Sequence, residues 1–409
     1  MKKFENRLLI TLFVLFIFGF GVMFIILPDK SFSYEENRQL QTFPDIDADS
    51  LLSGEFGDKI NKYYADQFPA RDQLVGVKGV CETLLLKGEN NGVLLGKNGQ
   101  LAVRMFDAYL DRYTTVEDID YFYYENIDMT TRNIIDFCAD SKLPVTVIIP
   151  PRTIDVASLA FMYPDEISYE LQKRISDNLS GCNSFVPTFD MLKEKYDSGE
   201  YVYYKTDHHW TTYGAYCVYT ELMKTWGREE EIIDQKEFNI ERIEDFYGTT
   251  WSRAGYKFIS PDYIEIWSLG DEDRYVSTVY DRKNILDDSG NNSVVRQEVK
   301  SFKTFYNRDY LQQKDKYSVF LDGTHSEMSV TLIDTDTESV HRKRLLVAKD
   351  SFANSLVPFL ARHYDIVLIN LAAGMTDLSG YAEEYECDEI LIIYNTQNIV
   401  ENRNLAEVS

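Results

Sequence analysis

Residues 344–398 constrain the fold more than any other stretch. They read RLLVAKDS, then FANSLVPFLARHY, then DIVLINLAAG, and after a polar interval EEYECDEILIIYNTQN. Three short apolar runs, each ending in polar residues, are separated by helix-length segments. The apolar residues stand at successive positions, as in strands covered on both faces. Strand and helix alternating in this way predict an α/β fold. Its parallel sheet is flanked by helices, and its sites lie beyond the carboxyl ends of the strands. Ser351, Gly374 and Asn395 fall at or just past such ends. PVTVIIPPR (144–152) is a fourth run of the same kind, preceded by a helical pattern over 115–141 that opens on a Thr115 cap.

The other end of the chain is equally definite. MKKFENR is followed by twenty residues without a charge, LLITLFVLFIFGFGVMFIIL (8–27). At 1.5 Å per residue these span about 30 Å, the hydrocarbon thickness of a bilayer. Lys2, Lys3 and Arg7 ahead of the run place the tip in the cytoplasm and the rest of the chain outside. The expected organisation is a cytoplasmic tip and transmembrane anchor over 1–30, a linker over 31–50 and a catalytic domain over 51–409. The anchor is expected to be uncleaved and single-pass, holding an extracytoplasmic domain at the cell membrane. A cleaved signal peptide is the alternative, although its apolar region is normally about 7–15 residues long. Within the domain, 91–103 predict a hairpin turning at Lys97-Asn98-Gly99. The charge-rich 229–330 region reads as an insertion or lid.

A net charge of −25 excludes a nucleic-acid partner, since phosphate binding needs Lys and Arg gathered on one face. The five cysteines are scattered without a CxxC pair, which argues against both zinc and a disulfide framework. The 29 tyrosines suit sugar-binding grooves as well as ordinary packing.

Only five histidines occur, and two stand together in YVYYKTDHHWTT (201–212). Adjacent side chains point in different directions, so one ion would rarely take Asp207, His208 and His209 together. No metal is expected there. Asp207 and His209, two residues apart, leave an extended segment on the same side. A carboxylate can then fix one imidazole nitrogen while the other faces a nucleophile. Ser351 is the available serine: it opens a helix, where backbone N–H groups can stabilise an oxyanion. Serine also suits that position as a plain helix cap.

Taken together, ENRQL with YYADQFPARD, VIIPPR, YYKTDHHWTTYGAY and VAKDSFANSLVPFL resemble the DHHW family. Through it the chain is similar to the alginate O-acetyltransferase (AlgX/AlgJ-like) group, whose catalytic domain is related to SGNH hydrolases. The resemblance implies Asp207 and His209 as acid and base, Ser351 as nucleophile and Trp210 as support for the turn. It further implies an SGNH-like fold that is circularly permuted, because Asp207 and His209 precede Ser351. Gly374 and Asn395 then follow as oxyanion-hole residues, although a helix-terminal glycine and a strand-end asparagine serve equally as structural residues. Trp210, Tyr204 and Arg152 are the expected substrate contacts. The implied activity is O-acetyl transfer to a cell-surface or secreted polysaccharide, with no cofactor and with a membrane-bound O-acyltransferase as partner. A carbohydrate esterase and an inactive polysaccharide-binding module remain alternatives. KDS in place of GDS, and DxH in place of DxxH, depart from the SGNH pattern.

Overall fold

The computed structural model describes residues 2–104, 121–161, 166–286, 292–333, 342–401 and 404–409. It divides into two compact units, Met1–Asn91 with Trp251–Ile259, and Gly92–Thr250 with Ser260–Ser409. Residues 51–91 therefore cluster with the amino-terminal helix.

In the first unit the apolar run forms helix α1 (Lys2–Ile26), long and apolar enough to cross a membrane. Helices α2 (Glu55–Asp66) and α3 (Arg71–Leu84) follow, joined by a short corner. The expected linker is not loose. Phe32–Ser33 pairs antiparallel with Arg38–Gln39, and the Arg38 guanidinium grips buried Asp66 through two hydrogen bonds of 3.0 and 2.5 Å. Paired, fork-on-carboxylate contacts of this kind fix orientation as well as charge.

The second unit is built on a seven-stranded sheet. Its strands are β1 (Val145–Ile148), β2 (Tyr275–Leu286), β3 (Asn292–Lys303), β4 (Glu327–Leu332), β5 (Arg344–Lys349), β6 (Asp365–Ile369) and β7 (Glu389–Ile393). They lie in the order β3-β2-β4-β6-β5-β7-β1. The four strands read from continuous apolar runs, β6, β5, β7 and β1, are mutually parallel. The other three pair antiparallel, so the sheet is mixed. Two of them, β2 and β3, lie wholly within 229–330, and β4 begins there. That region, expected as an insertion or lid, supplies strands to the sheet.

Burial explains the continuous runs. Leu345, Val347, Ile366, Leu368, Leu391 and Ile393 point to one face of the sheet, towards Val218 and Leu222 of helix α6 (Thr212–Thr225). Leu346, Ala348, Val367, Ile369, Ile390 and Ile392 point to the other, towards helices α4 (Tyr121–Asp140) and α5 (Glu166–Leu179). The period of two sends neighbouring residues to opposite faces, and both faces are covered. Each fully buried Leu, Ile or Val contributes about 1.5–3 kcal/mol. The Thr115 start expected for α4 lies outside the described residues. The hairpin of Val93–Leu95 with Leu101–Val103 forms as expected, with Asn98 and Gly99 at φ 57° and 78° in its turn.

Strand order fixes where a site can form. The chain leaves β5, returns as β6 on one side, then crosses to β7 on the other. The carboxyl end of β5 is thus a topological switch point, where open α/β sheets hold their ligands.

Candidate active site

Lys349 ends β5, and Asp350 and Ser351 follow at the switch point. Asp350 caps the turn Ser351–Ser355, its Oδ1 accepting from the Phe352 amide at 2.9 Å. Its Oδ2 accepts from the Asn395 amide, Asn395 Nδ2 and Asn398 Nδ2 at 2.7, 2.8 and 2.9 Å. One buried carboxylate thereby ties the end of β5 to the end of β7. Burial pushes the Asp350 pKa up from the ordinary carboxylate value, against these donors.

Ser351 Oγ lies 2.7 Å from His209 Nε2, although 142 positions separate them in the chain. His209 Nδ1 lies 2.6 Å from Asp207 Oδ1, which also accepts from the His209 amide at 3.1 Å. Asp207 Oδ2 accepts from the Thr249 amide at 2.8 Å and from Thr249 Oγ1 at 3.0 Å. Burial opposes charge on Asp207, but the two neighbouring histidines and the Thr249 amide outweigh it. They hold its pKa well below the usual carboxylate range. An ionised carboxylate can only accept, so the proton on His209 sits on Nδ1 and leaves Nε2 to take the serine proton. The same accounting extends to His208. Thr249 has one hydroxyl proton, directed to Asp207, so His208 Nδ1, 3.0 Å from Thr249 Oγ1, is the donor in that contact.

The approach of Thr249 depends on the residue before it. A Cβ at Gly248 would stand 2.3 Å from the Asp207 carboxylate, so only glycine lets this strand of chain lie against it. Tyr317 supports the imidazole from the side. Its ring lies parallel to His209, 3.9 Å between centroids and 8° between planes, and its hydroxyl donates to the Ser351 carbonyl at 3.1 Å. Buried Asp262 holds the approach to the motif, accepting from the Lys205 and Thr206 amides at 3.1 and 2.7 Å and from the Tyr201 hydroxyl. Gly248, Thr249, Asp262 and Tyr317 all come from 229–330. Nothing in the sequence marked them, since their role lies in contacts distant along the chain.

The expected substrate contacts are corrected by burial. Trp210 is fully enclosed and donates through Nε1 to Ser355 Oγ at 2.9 Å, holding the serine turn from behind. Tyr204 is enclosed as well, its ring edge-on to Phe246 and Tyr317. Arg152 is buried, with Nη2 on the Val103 carbonyl at 2.6 Å.

A cavity of about 190 Å³ opens beside Ser351, lined in part by Thr324, Asn370, Ala372, Asn398 and Asn404. Gly374 and Asn395, expected as oxyanion donors, are not among its described lining residues. Asn395 is committed to Asp350, and Gly374, at φ 77°, closes the turn Leu371–Ala373. The residue that does reach the cavity from the end of β6 is Asn370. The donors Asp207, His208 and His209 lie within 4.8 Å of one another, a spacing compatible with a metal. Both His209 nitrogens and both Asp207 oxygens are already engaged, so an ion there would have to break the Ser351–His209–Asp207 relay.

The DHHW protein family model matches residues 140–370, more than half of the chain and including the whole relay. The chain belongs to the DHHW family. No curated protein matches this DHHW chain. Among solved structures it is similar to PatB1 of Bacillus cereus with a sulfonyl adduct, at 16% identity and a TM-score of 0.55. That match covers 78% of this chain and 97% of PatB1. A DHHW family protein of Eubacterium siraeum matches at 18% identity and a TM-score of 0.49, covering 78% of this chain and 99% of the other. The O-acetyltransferase domain of Pseudomonas putida AlgJ matches at 12% identity and a TM-score of 0.44, over 76% and 93%. At these identities the PatB1 likeness speaks for the fold.

Proposed function

We propose that this DHHW chain is a serine-dependent O-acetyltransferase acting on a polysaccharide outside the cytoplasm. The observation that carries the reading is the relay itself, with Ser351 Oγ 2.7 Å from His209 Nε2 and His209 Nδ1 2.6 Å from an Asp207 held ionised. As Ser351 Oγ attacks the acetyl carbonyl of a donor, His209 Nε2 takes the hydroxyl proton and then passes it to the departing donor oxygen. The product is acetyl-Ser351. A sugar hydroxyl next gives its proton to His209, attacks the acetyl carbon and releases Ser351, which recovers the proton. Asp207 compensates the imidazolium in both halves. The Ser351 amide and the Asn370 side chain at the cavity supply the donors for the transient oxyanion. These steps use side chains and one backbone amide, without metal or organic cofactor.

The order Ser351 after β5, Asn370 after β6, then β7, with β1 leading towards Asp207 and His209, supports reading the second unit as a circularly permuted SGNH-like fold. Helix α1 supports a single-pass anchor that keeps the domain beside a membrane-bound O-acyltransferase supplying the acetyl group. The test is a p-nitrophenyl acetate assay, followed by mass measurement of acetyl groups moved onto a glycan. Wild type is expected to turn over and to transfer, and Ser351→Ala to lose both. Hydrolysis without transfer to any glycan would reassign the protein as an esterase. Turnover retained by Ser351→Ala would end the reading.

A further inference from the structure

Helix α3 carries a feature that the chemistry at Ser351 leaves unexplained. At 100° per residue, Leu74, Val77, Val80, Cys81 and Leu84 share one arc of about 120°, interrupted only by Gln73. All are exposed, Val77 at 57% and Leu84 at 77%. The opposite face is packed so closely that a Cβ at Gly76 would meet Lys257 Cγ at 2.9 Å, and one at Gly79 the Gly255 carbonyl at 2.8 Å. The helix is thus seated by its glycines, while its apolar face is turned away from the unit it belongs to.

The surroundings say what covers that face. Phe68, in the corner just before α3, stacks on Phe20 of α1 at 5.2 Å between centroids. Tyr63 and Tyr64 of α2 pack on Phe24 of α1 at 5.7 and 5.4 Å. Phe20 lies about 10 Å of helix rise before the end of the apolar run. With α1 filling the hydrocarbon core, these contacts bring the α2–α3 corner to the depth of amphipathic surface helices, about 5–10 Å into the headgroup–acyl boundary. Tyrosine is enriched at that level.

We propose that α3 lies in the membrane surface at the leaflet where α1 ends, with Leu74, Val77, Val80, Cys81 and Leu84 in lipid. The proposal rests on α1 being a membrane anchor. Its consequence is that the first unit is held flat against the bilayer at two places, where α1 alone would leave it swinging on a tether.

Cys81, on the stripe itself, provides the probe. The full chain is placed in phosphatidylcholine–phosphatidylglycerol nanodiscs with a nitroxide on Cys81. Collisions with oxygen and with a water-soluble nickel chelate are then measured. A label at exposed Lys224→Cys, on a Cys81→Ser background, serves as the aqueous reference. The Cys81 label is expected to favour oxygen, with nickel access at least about tenfold below the reference. Nickel access equal to the reference overturns the proposal, because the stripe then faces water. Low access to both reagents overturns it in favour of a protein partner or a second copy. Failure of the chain to enter nanodiscs overturns it together with the anchor reading, and only that outcome touches the anchor.

Discussion

At the scale of single residues, the account turns on how Asp207 is kept charged and aimed. A carboxylate accepting two amide hydrogens, a hydroxyl and an imidazole N–H has little freedom to turn or protonate. Thr249→Val removes one of these bonds and leaves Oδ2 with the amide alone. The expected outcome is a fall in kcat of about tenfold with KM little changed, the signature of an interaction made in the transition state, and recovery in Thr249→Ser. Equal losses in the valine and serine variants would show that the hydroxyl is irrelevant. Asp207, His209 and Ser351 were legible because their residue types and spacing carry chemistry wherever they occur. Thr249, Asp262 and Tyr317 were not, since threonine, aspartate and tyrosine in a charge-rich segment announce nothing until the fold delivers them. Asn395 misled for a related reason. Its place at a strand end was readable, but its capture by Asp350 required the two strand ends to be seen together.

Among the elements, β5 carries an unusual load. The strand ends in Lys349, whose ammonium is buried against Asn354 Oδ1 directly ahead of Asp350 and Ser351. Burial lowers its pKa to about 8, despite the neighbouring Asp350. The group therefore loses its proton more easily folded than unfolded. Between the folded and unfolded pKa values the unfolded chain binds more protons, so stability rises with pH across that window. Relative to Lys349→Met, wild-type stability is expected to increase by about 2 kcal/mol between pH 7 and pH 10, as read by denaturant midpoints at each pH. A pH-independent difference between the two proteins would contradict it. The parallel strands β1, β5, β6 and β7 were legible from unbroken apolar runs. Strands β2 and β3 were not assigned to the sheet, because charged antiparallel strands with exposed positions lack that signature. Neither was β4, whose six residues EMSVTL mix polar with apolar side chains although half of them are buried.

At the scale of the whole molecule, the chain joins a membrane-length helix with its supporting helices to a unit whose switch point holds a serine, a histidine and an aspartate. The 229–330 region shows how the parts depend on each other: it widens the sheet, braces the approach to Asp207 and lays Tyr317 along His209. The claim on which everything else depends is that His209 activates Ser351. A sulfonyl fluoride offered to the intact protein, with the adduct located by peptide mass, measures that activation at the atom concerned. Wild type is predicted to be modified at Ser351, and His209→Ala to react at least about a hundredfold more slowly. Modification at another residue, or equal rates in the two proteins, would contradict the account.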